Sequence, residues 1–306
     1  MVPEKSNNPN IHYAVQEATP PADTSHIIRK TLDIPYANRS SAQKLDIYLP
    51  EHGNGPFPVI ISIHGGAFMG CDKGDMQVIP MLEGLKHGFA VVAINYRMSG
   101  EAKFPALVQD AKAAVRWIRG NASQYGFDPR RIIAWGGSAG GYLSSMLSLT
   151  SEVQDLEDLT LGYRDQPCDI QAAVVWYGPT NFLKMDDQLT SLGLLPPAGF
   201  RHNEPNSPES LLLGKTITEI PELVNAANPE SYIRDAIPPM LFQHGRRDPI
   251  VPVLQSIELV EKLKGKFGEN CVTLEIFENA GHADPAFETM ENVNRIFRFL
   301  KESGLY

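Results

Sequence analysis

Cysteine is scarce in this 306-residue chain: Cys71, Cys168 and Cys271 are the only three. An odd number at wide, irregular spacing fits neither a disulfide framework nor a zinc site, so buried thiols are expected. Basic charge is also short, with Lys+Arg 27 against Asp+Glu 36 and a net charge of −9. With no long basic run to offset it, that balance would repel a phosphate backbone, so nucleic acid is not an expected partner. No apolar span approaches the ~20 residues a bilayer requires, and the first 26 residues lack the apolar core of a signal peptide. As written the chain is expected to be cytoplasmic and not membrane-bound; an export signal removed ahead of Met1 would make it secreted instead. No metal-ligand spacing, phosphate loop or dinucleotide fingerprint is present, so neither a metal nor a cofactor is expected.

What remains is an ordinary globular mixture, 42% hydrophobic and 21% charged, with enough apolar material for a large core. Residues 1–25 are polar and rich in Asn and Pro, the composition of a loosely held arm. Residues 26–306 read as one α/β domain. Lys44–Leu49 alternates like a half-buried strand, whereas 57–63 and 89–95 are nearly continuous apolar runs of the kind covered on both faces. Leu107, Ala111, Ala114, Val115 and Ile118 recur at helical steps. Asp128-Pro129 breaks the chain before a strand at 131–135, a tight turn at 136–141 and a helix at 142–149. Later strands are expected at 170–176, 240–243 and 272–277. A final helix starting near Pro285 carries Met290, Val293, Ile296, Phe297 and Leu300 on one face. Strands alternating with helices imply a mostly parallel sheet with helices on both faces. Between about 151 and 237 the rhythm fails, and this stretch reads as a cap-like insertion over the C-terminal edge of the sheet.

The chemistry is concentrated at four places. Gly136-Gly137-Ser138-Ala139-Gly140 follows an expected strand and opens an expected helix, the context in which a GxSxG string forms a nucleophile elbow. His64-Gly65-Gly66-Ala67 directly follows the apolar run ending at Ile63. Glycines there let backbone N–H groups approach a developing oxyanion, so Gly65 and Gly66 are the expected donors, with Ala139 completing the hole. His64 itself is expected to orient this loop. A serine hydroxyl needs a histidine base, and the base needs a carboxylate to fix its tautomer. Where such an elbow carries the nucleophile, Ser precedes the acid and the acid precedes His in the chain. Only His202, His244 and His282 follow Ser138. His202 lies in the insertion, His244 ends a strand, and His282 stands in a loop between the last strand and last helix, where the base belongs. Asp248, after the penultimate strand, is the expected acid. Its rival Asp284 sits where it would cap the last helix; Asp186 and Asp187 lie in the insertion. Phe68, Tyr142 and Tyr177 are candidate substrate-binding residues, and Trp176, Phe182 and Phe200 are further aromatic candidates, with ordinary packing the alternative for each.

The stretches KLDIYLPE, VIISIHGGAF, the segment from VVAINYR through GGSAGGYLSSML, HGRRDPIVP and AGHADPAF resemble the α/β-hydrolases of the hormone-sensitive-lipase-like and carboxylesterase type. Within these, the chain is most similar to the acetyl-xylan and feruloyl esterase-like group. The resemblance covers most of 40–150 and 238–300. It implies hydrolysis of carboxylic esters through an acyl-serine, on short-chain or aromatic acyl groups, with acetyl or feruloyl esters of carbohydrates as the expected substrates. One departure is the run from Tyr96 to Glu101, where the lipase-like group has a YRLAPE-like sequence; it favours the narrower esterase group over long-chain lipid substrates. Three other readings stay open at this point. A formamidase-type amidase or a serine peptidase would use the same triad, and a binding protein on a non-catalytic hydrolase scaffold would need none of it. A peptidase of the prolyl-oligopeptidase type usually has tyrosine where this chain has Ala139.

Overall fold

The apolar runs become the middle of one sheet. The computed structural model describes residues 19–234 and 236–306, and among these eight strands hydrogen-bond side by side: β1 (Lys30–Pro35), β2 (Lys44–Tyr48), β3 (Phe57–Ile63), β4 (Ala90–Ile94), β5 (Phe127–Gly137), β6 (Ala172–Trp176), β7 (Met240–Gly245) and β8 (Val272–Phe277). Their order is β1-β2-β4-β3-β5-β6-β7-β8. Only β2 runs against its neighbours; from β4 across to β8 every pairing is parallel. This is the α/β-hydrolase fold, with the parallel strands delivering their C-terminal ends, and the loops that follow, to one edge.

Alternate residues of the central strands feed two cores. Val59, Ile61, Val92, Ala134 and Val175 pack toward the helices Ala106–Gly120, Ala139–Leu149 and Leu254–Phe267. Ile60, Val91, Ile133, Trp135 and Val174 pack toward the helix Met290–Glu302 and the short turns over 76–87. Both faces are therefore dry, which is why β3 and β4 are apolar at nearly every position.

Several elements depart from expectation. β2 is not half-buried: Leu45, Asp46, Ile47 and Tyr48 are all buried. Its alternating polar residue is Asp46, which accepts the Asp33 N–H at 2.7 Å and pairs with Lys73 at 3.2 Å instead of facing water. β1 escaped the periodicity because it is a mostly exposed edge strand. Asp128-Pro129 does not end an element; it lies inside β5, beside a shift in register against β3. The 136–141 turn is tighter than expected, since the helix already begins at Ala139. Near the C-terminus, Pro285–Phe287 forms a separate short turn, and the helix starts at Met290. Met290 is exposed there, and the buried face begins one turn later at Val293.

The 151–237 stretch is not uniform, because β6 passes through it as a central strand. The part that reaches the C-terminal edge lies between β6 and β7 and includes the short helices Met185–Ser191, Pro208–Leu213 and Pro221–Ala227. Of the expected N-terminal arm, residues 1–18 lie outside the described residues. The remainder rests on the segment after the loop 64–70: Ala22 donates its N–H to the Gly74 carbonyl and Met76 to that of Pro20.

Candidate active site

β5 ends at Gly137, and the chain turns at Ser138 before entering the helix from Ala139. Ser138 has φ 55° and ψ −119°, a conformation that non-glycine residues avoid and that projects the side chain out of the turn. The bend is possible because its neighbours lack Cβ atoms. One added at Gly140 would lie 1.9 Å from the Ile63 carbonyl oxygen, and one at Gly136 2.5 Å from the same atom. The Ser138 N–H is tied to the Trp176 carbonyl of β6 at 3.0 Å.

Two further loops bring His282 and Asp248 to this serine. His282, after β8, has its Nε2 3.0 Å from Ser138 Oγ and its Nδ1 2.7 Å from Asp248 Oδ2. Donation of Nδ1–H to the carboxylate leaves the Nε2 lone pair facing the serine hydroxyl, the tautomer a general base requires. Asp248 is fully buried, and its other oxygen accepts the N–H groups of Ile250 and Val251 at 2.9 Å each. Burial alone would raise this carboxyl, but the His282 and His244 imidazoles and their hydrogen bonds outweigh it and hold it well below the usual carboxylate range. His244 is a support and not a rival base: its Nδ1 meets Ser256 Oγ at 2.7 Å and its Nε2 meets the Val251 carbonyl at 2.8 Å. Asp284 caps the turn that follows, accepting the Ala286 N–H at 2.9 Å.

The oxyanion loop corrects one expectation. Gly65 donates its N–H to Gln77 Oε1 at 2.7 Å, so this donor is already engaged. Among the described residues, the N–H groups of Gly66, Ala67 and Ala139 meet no acceptor. Ala67 and Ala139 line the same pocket as Ser138. Gly66 has φ +110°, and a Cβ on it would stand 2.2 Å from the Gly70 carbonyl oxygen, so the loop cannot take this path with any other residue there. His64 is buried and stacks on Tyr96 at 4.6 Å, while the Tyr96 hydroxyl donates to the His64 carbonyl at 2.9 Å. Burial lowers the His64 imidazole below its ordinary value, and its Nδ1 contacts the Gly65 carbonyl at 2.7 Å. Both contacts anchor the loop.

The pocket over Ser138 is walled by Phe68, Phe200, Pro179, Ile250 and Val251, together with His202 and Glu209. Phe68 and Phe200 therefore reach the reacting region. Tyr142 does not: it is wholly buried behind Phe68 and donates its hydroxyl to the Ala227 carbonyl at 2.8 Å. Tyr177 also misses the pocket wall. Its ring packs edge-on against His282 at 4.9 Å and against Phe287 at 4.6 Å, which props the imidazole. Trp176 and Phe182 belong to the core.

Sequence reasoning passed over Gln77 and Glu209, and weighed His202 only as a base, setting it aside because it lies in the insertion. His202 is buried, with Nδ1 3.0 Å from Glu209 Oε2 and Nε2 2.8 Å from the Ile250 carbonyl. Both ring nitrogens thus face acceptors, so both must donate, and the ring is an imidazolium. Burial opposes that charge, but the Glu209 carboxylate overrides it and raises the pKa to about 9. Beyond this pair a second cleft of about 300 Å³, lined by Asp186, Asp187, Thr190, Leu195, Arg201 and Asn203, opens within the same insertion.

Comparison with known proteins places this constellation. Residues 45–263 match BD-FAE. The chain belongs to the BD-FAE family. It is 33% identical over 240 residues to a probable carboxylic ester hydrolase, LipM, of Mycobacterium tuberculosis, covering 76% of this chain and 51% of that protein. It is 30% identical over 259 residues to the esterase LipQ of the same organism, covering 83% of this chain and 57% of that one. The chain thus spans about half the length of these curated relatives. Among solved structures, a truncated carbohydrate esterase from gut microbiota superimposes with a TM-score of 0.82 at 30% identity, over 94% of this chain and 100% of that one. A bifunctional GH43-CE protein of Bacteroides eggerthii gives 0.79 at 30% identity, over 90% of this chain and 35% of that one. In this BD-FAE member, no described helix is long and apolar enough to cross a membrane.

Proposed function

We propose that this chain hydrolyses carboxylic esters through an acyl-serine formed on Ser138. The observation that carries the proposal is the continuous hydrogen-bonded line from Ser138 Oγ through His282 to the buried Asp248 carboxylate, at 3.0 and 2.7 Å. His282 Nε2 takes the hydroxyl proton as Oγ attacks the ester carbonyl. The tetrahedral oxyanion is received by the N–H groups left without acceptors at Gly66, Ala67 and Ala139; one donor of this kind contributes about 100- to 1000-fold in rate. Asp248, kept anionic, steadies the imidazolium. His282 then protonates the departing alkoxide, and the same nitrogen activates a water that releases the acid.

Short-chain or aromatic acyl esters are the substrates we infer, the short-chain ones supported by the close approach of Phe68, Phe200 and Val251 around Ser138. Esters of carbohydrates are the natural alcohol side, in keeping with the carbohydrate esterase that shares the fold and 30% of its sequence. The decisive experiment combines a Ser138→Ala variant with p-nitrophenyl esters of graded chain length, methyl ferulate and acetylated xylo-oligosaccharides. The expected result is loss of the acylation burst in the folded variant and a wild-type preference for acetyl or hydroxycinnamoyl esters. A burst that persists in Ser138→Ala overturns the nucleophile, and a preference for long acyl chains overturns the substrate class.

A further inference from the structure

Glu209 stands in the wall of the serine's pocket, and its side chain is only 5% exposed. One carboxylate oxygen, Oε2, receives the Nδ1–H of His202 at 3.0 Å. The other, Oε1, has no hydrogen-bond partner among the described residues. It is not sealed away either. The fully buried polar side-chain atoms without a partner are His64 Nε2, Trp135 Nε1, Ser145 Oγ and Asn203 Oδ1, and Glu209 Oε1 is absent from that group. A carboxylate with one oxygen unshared, and not wholly covered, thus belongs to the wall of a cavity that Ser138, Ala67, Phe68, Phe200, Pro179 and Val251 also line.

Such an atom is costly to leave bare. A carboxylate in apolar surroundings needs each of its oxygens satisfied, and His202 satisfies only one. The pocket is narrow, its polar groups at Ser138, Ala67 and Ala139 are those the proposed reaction uses, and Phe68, Phe200, Pro179 and Val251 offer only hydrocarbon to the carboxylate. The group that completes the site is a hydrogen-bond donor carried in by the ligand. His202 is itself immobilised by the Ile250 carbonyl at 2.8 Å, so the acceptor is held in place before anything binds.

The geometry points to Glu209 as a specificity-determining residue whose Oε1 accepts a hydrogen bond from a hydroxyl of the substrate, selecting hydroxylated esters over their deoxy counterparts. This rests on the ester-hydrolase reading and deepens it, since it names a functional group the substrate must carry. A hydroxyl fits better than an ammonium, because the His202 cation already balances the Glu209 charge and a second cation would face it across the carboxylate. A site built to pair with a hydroxyl rejects the analogue lacking it, because the buried acceptor is then left unmatched. One hydrogen bond to a charged group corresponds to a discrimination of about 10- to 100-fold.

The test uses matched ester pairs on the whole chain. On the acyl side, methyl 4-hydroxycinnamate is compared with methyl cinnamate; on the alcohol side, monoacetates of cyclohexane-1,2-, 1,3- and 1,4-diol are compared with cyclohexyl acetate. The wild type should favour at least one hydroxylated member by about tenfold or more in kcat/KM. Glu209→Gln and Glu209→Leu should bring that ratio toward unity. If either variant loses its fold, Glu209→Asp, which keeps a charge for His202 but draws the oxygen back, gives the same reading. No preference in any pair, with p-nitrophenyl acetate still turned over, overturns this inference and leaves the esterase reading standing. A preference that survives substitution of Glu209, or one shown only by an ammonium-bearing acetate such as acetylcholine, overturns it as well. Failure to hydrolyse every ester overturns both.

Discussion

His202 Nε2 lies 2.8 Å from the carbonyl oxygen of Ile250, and the N–H of that same Ile250 lies 2.9 Å from Asp248 Oδ1. A side chain from the insertion thus grips the peptide segment that holds Asp248, the candidate acid. The two regions are remote in sequence, and the contact makes the geometry of the triad depend on the insertion.

His202→Gln should be strongly destabilising, because it leaves the Glu209 carboxylate buried without its cation. Removing one partner of a buried pair costs about 3–5 kcal/mol, whereas replacing both with apolar residues is close to neutral. Urea denaturation of His202→Gln and of the His202→Leu, Glu209→Leu double variant should therefore show the double variant recovering most of the loss. A double variant as unstable as the single one would contradict the ion pair.

The same pair sets a pH dependence for stability. Burial works against the His202 cation, but Glu209, then the Ile250 carbonyl and more weakly Asp186, outweigh it and raise the pKa from 6.5 to about 9. A raised histidine contributes stability fully below its unfolded value, and that contribution is lost as pH climbs from about 6.5 through about 9. Thermal unfolding followed from pH 6 to pH 10 should show Tm falling across this window, by less in the double Leu variant than in the wild type.

Asp248→Asn should keep the fold and abolish most turnover. The amide still accepts from Ile250 and Val251, but its NH₂ opposes the Nδ1–H of His282 and favours the wrong imidazole tautomer. The expected loss in kcat is about 10⁴-fold, measured on p-nitrophenyl acetate beside an unchanged circular dichroism spectrum.

Gly66→Ala should cripple the oxyanion loop, since the new Cβ falls 2.2 Å from the Gly70 oxygen at a φ of +110°. A drop in kcat of about 100-fold or more is expected. Gln77→Leu, by contrast, removes only the acceptor of the Gly65 N–H; its kcat should fall less than that of Gly66→Ala. Steady-state kinetics of the two variants side by side would show whether Gly66 is the more critical position.

The residues of the candidate triad were legible because each is marked by chain order and local context: Ser138 by a strand, glycines and a helix, Asp248 and His282 by loops after successive strands. For the candidate oxyanion donors the sequence pointed to the right loop but not to which N–H groups in it are left without acceptors. Nothing local shows that Gln77, a dozen positions on, takes the Gly65 N–H; that is a tertiary contact. Aromatic side chains proved equally opaque. Phe68 and Tyr142 touch each other at 5.4 Å, yet one reaches the pocket and the other is core. His202 and Glu209 sit in a segment without periodicity, and the partner that gives His202 its meaning is a backbone carbonyl 48 residues away. Strand β6 was legible as an apolar run, but its surroundings are irregular enough that the stretch around it read as insertion.

Phe200 and His202 face the serine's pocket, while Arg201 and Asn203 face the neighbouring cleft. Four consecutive residues therefore form a party wall, papered differently on its two sides. A substitution at Phe200 or His202 would alter the serine's pocket, and one at Arg201 or Asn203 the cleft, with the strands of the sheet untouched. The chemistry of either hollow can thus be rewritten from this short wall alone, with no new scaffold.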